Sequence, residues 1–454
     1  MSSASEKVTR SAALRRAGVA AAAIAVGGAN APYAFAGPLR YSGRQLAGRL
    51  SIVQWAHFVP RYDAWLRSWA TAWGERNDVE VAIEREPYTE LPALAAAEVK
   101  AQRGHDIFGF LGPPARYEDQ VIDHTSIVSE IEGQVGGYGD LGRQSTFNPK
   151  TRKHFGVSDY FVPAPIIWRH DLWNSIGKSP ATWDQVREAA PLLKALGHPI
   201  GLGQASEPDS NMALLSLLMS FGSFLQDASG VPSLDSPNTV EAVEFMADLH
   251  VQGQDNAVFS WKPESNNQFI LGGRGSLVMN AISAVRRAED LGMPFSKDLW
   301  LWPVPPGPRG RIGVGQYTSV YAVWKFARNR DAAERFLADL CIASSDAVAA
   351  SGMFNFPTFP GAAPWSEIYA TAAEDQRLPK GKYTILTTIA AKHTRNAGYP
   401  GHFNAAVQEV LETYLVPRMF AQVSQGRMTA AESVRASAAE ARRIWKRWRK
   451  AGKI

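Results

Sequence analysis

The sequence predicts an α/β chain folded as two lobes, and three observations predict it. Its 454 residues exceed what one ordinary core organises. Hydrophobic residues at 45% and charged residues at 20% are globular proportions. Strand-like and helix-like patterns alternate along the first third of the chain, as in a parallel sheet with helices on its faces.

Residues 50–55 (LSIVQW) read as a short buried strand. Residues 61–76 follow with Tyr62, Trp65, Leu66, Trp69 and Trp73 at helical spacing, which assigns these tryptophans to the core. Residues 79–83 alternate as a second strand, 91–102 form an alanine-rich helix ending at Gly104, and 106–111 form a third strand stopped by Gly112-Pro113-Pro114. Residues 162–168, apolar and punctuated by proline, read as a strand crossing between lobes. Thr182 and Gln185 have the spacing of a capping box at the start of a helix. Further helices are predicted over 211–225, 238–252, 281–291, 330–342 and 405–422, with a strand at 275–280. Proline and glycine cluster at 302–310 and 356–364; these read as connections between lobes, with ordinary surface loops as the alternative.

The formal charge is +5, but the first 36 residues hold Lys7, Arg10, Arg15 and Arg16 against Glu6 alone. That leaves 44 of the 48 basic and 42 of the 43 acidic residues, a nearly neutral body with no global signature of nucleic-acid binding. The basic start, the apolar run at 17–26 and Ala34-Phe35-Ala36 have the order of an export signal cleaved after Ala36. The run is half the ~20 residues a spanning helix needs, so an uncleaved anchor is the weaker alternative. Arg15-Arg16 resembles a twin-arginine signal, although Leu14 and Ala17-Gly18 depart from the usual flanks, leaving the Tat and Sec routes both open. No cysteine lies near the cleavage site to carry a lipid. The expected location is the periplasm.

Catalytic signatures are few. The chain lacks H-E-x-x-H, C-x-x-C, a phosphate-binding P-loop and G-x-S-x-G. Cys341 is the only cysteine, which excludes an internal disulfide and any cysteine-based metal cluster. Nine histidines are scattered singly, without metal-ligand spacing. A literal G-x-G-x-x-G at 137–142 lies in a polar stretch and lacks the preceding strand a dinucleotide site needs. No carboxylate cluster marks a cation site and no basic cluster marks a phosphate site. The expectation is therefore no catalytic residues, no metal and no cofactor.

Fourteen tryptophans are available to fill cores or to stack on sugar rings. Trp55, Trp261 and Trp302, at strand ends or in loops, are the better ligand candidates. Ligands of open α/β sheets lie beyond the carboxyl ends of strands, which directs attention to Trp55 and His57, Tyr88, Gly112, Tyr160, Asn280, and Gln316 with Tyr317. The basic, aromatic run at 442–450 reads as a terminal helix with a solvated basic face, Ile444 and Trp448 packing at i, i+4; contact with an anionic membrane is the alternative.

Several stretches together resemble the family 1 extracellular solute-binding proteins of ABC importers, the maltose-binding-like group. Residues 162–173 (VPAPIIWRHDLW) resemble the family's crossing strand and "Tyr-Asn-x-Asp-Leu-Phe" segment, with Trp168 and Arg169 at the Tyr and Asn positions. Residues 178–186 (KSPATWDQV) resemble "Pro-x-Thr-Trp-Asp-Glu", 267–279 resemble "Phe-x-x-Gly-x-Ala-Ala-Met", and 325–337 resemble "Ser-Lys-Asn-x-Glu-Ala-Ala-x-x-Phe-Leu". The family often has Gly-x-Trp after that Met; this chain has Asn280-Ala281-Ile282-Ser283.

The resemblance implies a two-lobed periplasmic-binding-protein fold of type II-like form, each lobe a sheet flanked by helices, with the ligand in the cleft between them. Crossings are expected near 160–165, 308–313 and 353–357, which adds Phe354 to the candidate ligand residues. The implied boundaries are 49–162 plus 312–352 for the N-terminal lobe and 163–311 plus 353–454 for the C-terminal lobe. The implied function is capture of a small molecule, a carbohydrate or polyol, by hinge closure, for delivery to the permease subunits of an importer by a monomer that performs no catalysis. An exported carbohydrate-active enzyme and a sensor-type binding protein of the same fold are the alternatives.

Overall fold

The computed structural model describes residues 45–315 and 317–454. The export signal expected at 1–36 and the candidate Gln316 lie outside the described residues.

In the first lobe Gly48–Trp55, Val79–Glu86 and Ile107–Phe110 form the predicted parallel sheet, with Gly48–Trp55 in the middle. Val323 to Val320 returns antiparallel along Ile107–Phe110 and closes one edge. The helix Pro60–Asn77 starts with proline in its first turn, which loses no hydrogen bond there. It ends where Asp78 turns left-handed (φ 56°) to feed the next strand. Its tryptophans face inward: Trp65 and Trp73 are fully buried and Trp69 nearly so. Trp69 and Trp73 pack edge-on against Phe336 of the helix Arg330–Ile342, and the Trp73 indole donates to Asp339 Oδ2 at 2.7 Å.

The sheet of the second lobe is mixed. It runs Leu299–Trp302, Ile166–Arg169, Leu277–Met279, Ile200–Gly201, and only the last pair is parallel. Ile166–Arg169 leaves the crossing and runs away from the first lobe, whereas Leu277–Met279 runs back toward it, with Ile166 opposite Met279. The carboxyl ends of Leu277–Met279 and Ile200–Gly201 therefore point at the gap between lobes.

Between the lobes lies a three-stranded sheet of Tyr317–Thr318, Tyr160–Val162 and Phe356–Pro357. The predicted single strand at 162–168 is thus two strands in two sheets, split at Pro163-Ala164-Pro165, where proline withholds ladder donors. The second pass falls at Tyr317–Thr318, a few residues beyond the expected 308–313; Gly313–Val314 pairs with Thr394–Arg395 instead.

Two helix predictions change. The expected helix at 405–422 is two helices, Ala405–Glu412 and Leu415–Ser424, with Tyr414 left-handed between them (φ 53°). In the interior of one long helix Pro417 would cost a hydrogen bond and crowd the preceding turn, whereas in the first turn of a new helix it costs neither. Thr182 Oγ1 does accept from the Gln185 amide, while the full reciprocal box is made by Thr429 and Glu432. The glycine motif at 137–142 follows the helix Thr125–Val135, not a strand. The terminal helix Ala430–Lys450 buries Ile444 and Trp445, and half-buried Trp448 donates to Glu409 Oε2 at 2.6 Å. Among the described residues no helix is long and apolar enough to cross a membrane.

Candidate functional site

The carboxyl ends of both sheets meet at one gap. From the first lobe come the residues after each parallel strand: His57 and Phe58 after Gly48–Trp55, Tyr88 after Val79–Glu86, and Leu111-Gly112-Pro113 after Ile107–Phe110. From the second lobe come Asn280 after Leu277–Met279, and the helix Pro208–Ser220, which begins a few residues after Ile200–Gly201.

A cavity of about 340 Å³ occupies this gap, within the size range of small-molecule sites. Tyr88, Leu91, Phe110, Gly112 and Tyr117 wall it from the first lobe. Pro208, Asn211, Met212, Leu411 and Tyr414 wall it from the second, and Gly315, Tyr317 and Thr318 form its hinge side. The break before Pro417 is what brings Tyr414 to this wall. Arg116, also on the lining, spans the gap: its guanidinium pairs with Glu412 and its backbone N–H donates to Gln408 Oε1 at 3.0 Å.

Asn211 is 2% exposed. Its Nδ2 donates to the Leu411 carbonyl at 2.8 Å, which fixes the amide orientation and leaves Oδ1 as a buried acceptor with no partner on the cavity wall. An unsatisfied buried acceptor is costly unless something supplies a donor.

A small recess of about 10 Å³ adjoins the cavity, sharing Tyr88 and Tyr317 with it. Phe58, Phe354, Asp209, Glu264, Asn267 and Asn280 complete most of its wall. Glu207 caps the helix behind it, accepting from the Asp209 and Ser210 amides at 2.7 and 2.6 Å. Burial first, and then the charge of Glu207, hold the Asp209 carboxyl above the usual range, and burial raises Glu207 as well. The Tyr88 phenol is raised by burial and then by Asp209, Glu264 and Glu207. The sequence shows no carboxylate cluster; the fold assembles one from residues 207, 209 and 264.

Of the residues singled out from sequence, the structure brings Tyr88, Gly112, Asn280, Tyr317 and Phe354 to these walls. Trp55, His57 and Tyr160 pack directly behind them. The Trp55 indole donates to Tyr160 Oη at 3.2 Å and lies 4.7, 5.1 and 6.3 Å from the rings of His57, Phe58 and Tyr317. His57 accepts from the Val59 amide on Nδ1, so the proton sits on Nε2 and is donated to Asn355 Oδ1 at 3.0 Å. Burial lowers its pKa to about 3, so the imidazole is neutral. Trp261 lies off both walls, packed on Phe269 and against Gly201 and Gly203. Trp302 is exposed at the end of its strand. Sequence reasoning missed Asn211, Asp209, Glu264 and Tyr414. The strand that leads to the first two is only two residues long and carries no periodicity.

Two α/β lobes joined by short crossing strands, with a cavity open to solvent at their facing strand ends, have the architecture of the periplasmic-binding-protein type. The chain belongs to the bacterial extracellular solute-binding protein family, whose sequence pattern matches residues 59–338. The maltose-bound structure of Thermotoga maritima MalE3 superposes with a TM-score of 0.69 at 20% identity, covering 87% of this chain and 100% of that one. A solute-binding protein from Agrobacterium radiobacter K84, in complex with ribitol, gives 0.67 at 14% identity over 87% of this chain and 98% of that one. At these identities the likeness establishes the shared fold. A curated binding protein of Brucella abortus (strain 2308) is 22% identical over 192 residues, 41% of this chain. The match covers 46% of that protein, so the chain spans about half the length of the curated relatives it matches.

Proposed function

We propose that this protein is the exported receptor of an ABC importer and captures a carbohydrate or polyol by closing its two lobes over it. The observation that carries the reading is the cavity at the facing carboxyl ends of two sheets, with a sheet of three short strands between the lobes. Aromatic side chains on both lobes offer faces for the C–H patches of a sugar ring, and the orphaned Asn211 Oδ1 offers an acceptor for a hydroxyl. A ligand touching both lobes binds the closed state more tightly and raises its population. The proposed contacts are Tyr88, Gly112, Asn211, Asn280, Tyr317 and Phe354, with Trp55, His57 and Tyr160 holding the first-lobe wall in place.

In this reading the lobes are residues 49–162 with 312–352, and 163–311 with 353–454. The export signal is removed after Ala36, the receptor acts as a monomer in the periplasm, and the closed form docks on the permease subunits. Two known members of the fold that carry maltose and ribitol support the ligand class. No bond of the ligand is broken. The test is calorimetric titration with a panel of sugars and polyols, combined with small-angle scattering and analysis of the recovered ligand. Saturable binding, a smaller radius of gyration and intact ligand are expected. Consumption of the ligand, or binding with no change in scattering, contradicts the proposal.

A further inference from the structure

We propose that the main cavity takes an amphipathic solute, a glycoside or polyol derivative that carries an apolar substituent such as an alkyl chain or an aryl ring. This rests on the carbohydrate-or-polyol reading above and narrows it.

The wall of the cavity holds few polar groups free to meet hydroxyls. Among the described residues Arg116 and Glu412 are the only charged side chains on it, and they pair with each other across the gap. Gln408 is engaged with the same pair: its Oε1 accepts from the Arg116 amide and its Nε2 donates to Glu412 Oε1, both at 3.0 Å. Asn396 donates to Gln144 Oε1 at 2.9 Å and accepts from the Gly398 amide at 2.7 Å. Two buried atoms of the lining are left without a partner, Asn211 Oδ1 and Ser145 Oγ. They can serve a hydroxyl or two. A bare hexose or hexitol brings several more, and each one taken out of water without a partner weakens binding.

What the wall offers instead is hydrocarbon. Leu91, Phe110 and Leu111 supply it from the first lobe, and Met212, Phe403 and Leu411 from the second. None of the fourteen tryptophans, the largest faces available for a sugar ring, lines the cavity. Because apolar side chains stand on both lobes, a substituent between them is shielded from water on two sides only when the lobes close. Its burial therefore favours the closed state. A plain sugar leaves this hydrocarbon without contacts, and a purely apolar ligand leaves Ser145 and Asn211 unsatisfied. A solute with a hydroxylated part and an apolar part meets both demands.

The experiment is calorimetric titration with glucose, galactose and sorbitol, with the methyl, propyl, pentyl and phenyl glycosides of both sugars, and with 1-pentanol as a sugar-free apolar probe. Affinity is expected to rise along the alkyl series by about fourfold per buried methylene until the cavity is filled. The heat-capacity change of binding should become more negative along the same series. Met212→Gln and Leu111→Gln, at partly exposed positions on facing lobes, are each expected to reduce the gain per methylene. Equal or tighter binding of the free sugars, or an alkyl gain that survives both substitutions, overturns the amphipathic solute and leaves the carbohydrate reading standing. Binding of 1-pentanol with no sugar, polyol or glycoside bound supports the apolar wall and overturns the carbohydrate reading. Failure of every probe to bind overturns both.

Discussion

Replacing Trp55 with alanine separates a residue that supports the cleft from one that touches the ligand. The indole is 3% exposed and lies on neither cavity wall. It packs on His57 and Phe58 and donates to Tyr160 Oη. Deleting a buried indole of this kind destabilises by about 3–5 kcal/mol, since the surrounding rings collapse only partly into the space. The Tyr160 hydroxyl also loses a partner, which adds about 1 kcal/mol. For a lobe of this size each kcal/mol lowers Tm by about 2–4 °C, so a fall of roughly 10 °C or more is expected. The ligand effect is indirect, through loosening of Phe58 and Tyr317, and should be at most a few-fold. Differential scanning calorimetry gives the first quantity, and titration well below the transition gives the second. A nearly unchanged Tm with an affinity loss above about tenfold would refute the reasoning and place the indole at the ligand.

Other substitutions test other parts of the structure. Asn211→Ala removes the orphaned acceptor from the cavity wall and should weaken ligand binding by about 1–2 kcal/mol, roughly tenfold, measured by calorimetry. Gly109→Ala places a methyl group 2.8 Å from Gln54 Cβ and 2.9 Å from the Tyr321 ring in the middle of the first sheet. The overpacking should destabilise by about 1–3 kcal/mol in urea unfolding, with ligand affinity at low denaturant unchanged. His124 is fully buried, accepts from the Val323 amide on Nε2 at 2.9 Å, and has its pKa lowered by burial from 6.5 to about 4. The unfolded chain therefore takes up a proton that the folded one refuses. Its contribution is complete above pH 6.5 and is lost as pH falls toward 4. The loss amounts to about 3 kcal/mol, to be read from the pH dependence of urea unfolding. His124→Gln should flatten that slope; an unchanged slope would mean that the histidine is already charged in the fold.

The first sheet was legible because its strands are bounded by helices with clear periodicity. Trp65, Trp69 and Trp73 recur on one face, and that face is the buried one, with Trp69 and Trp73 packed on Phe336. The second sheet was less so. Ile200–Gly201 is too short to show alternation, and the antiparallel sense of Ile166–Arg169 and Leu277–Met279 follows from which way the chain leaves the crossing. The break between Ala405–Glu412 and Leu415–Ser424 was available in Pro417, but an apolar pattern that continues through it reads as one helix. The position rule for strand ends led to Tyr88, Gly112, Asn280 and Tyr317, all of which reach the cavity or its recess.

Alternation of strand and helix, the facing of the tryptophans and the ordered set of family-like segments are local properties, carried by neighbours a few residues apart, and the sequence by itself determined them. Where Asp209, Glu264, Tyr88 and Phe354 meet is a different kind of fact. These residues come from four distant segments on both sides of a hinge, and the Asp209 carboxyl is raised first by its burial and then by the charges of Glu207 and Glu264 that the fold brings near it. The tertiary structure alone decided that the cleft has an acidic, aromatic end, since charge and desolvation depend on distances through space that no spacing along the chain encodes.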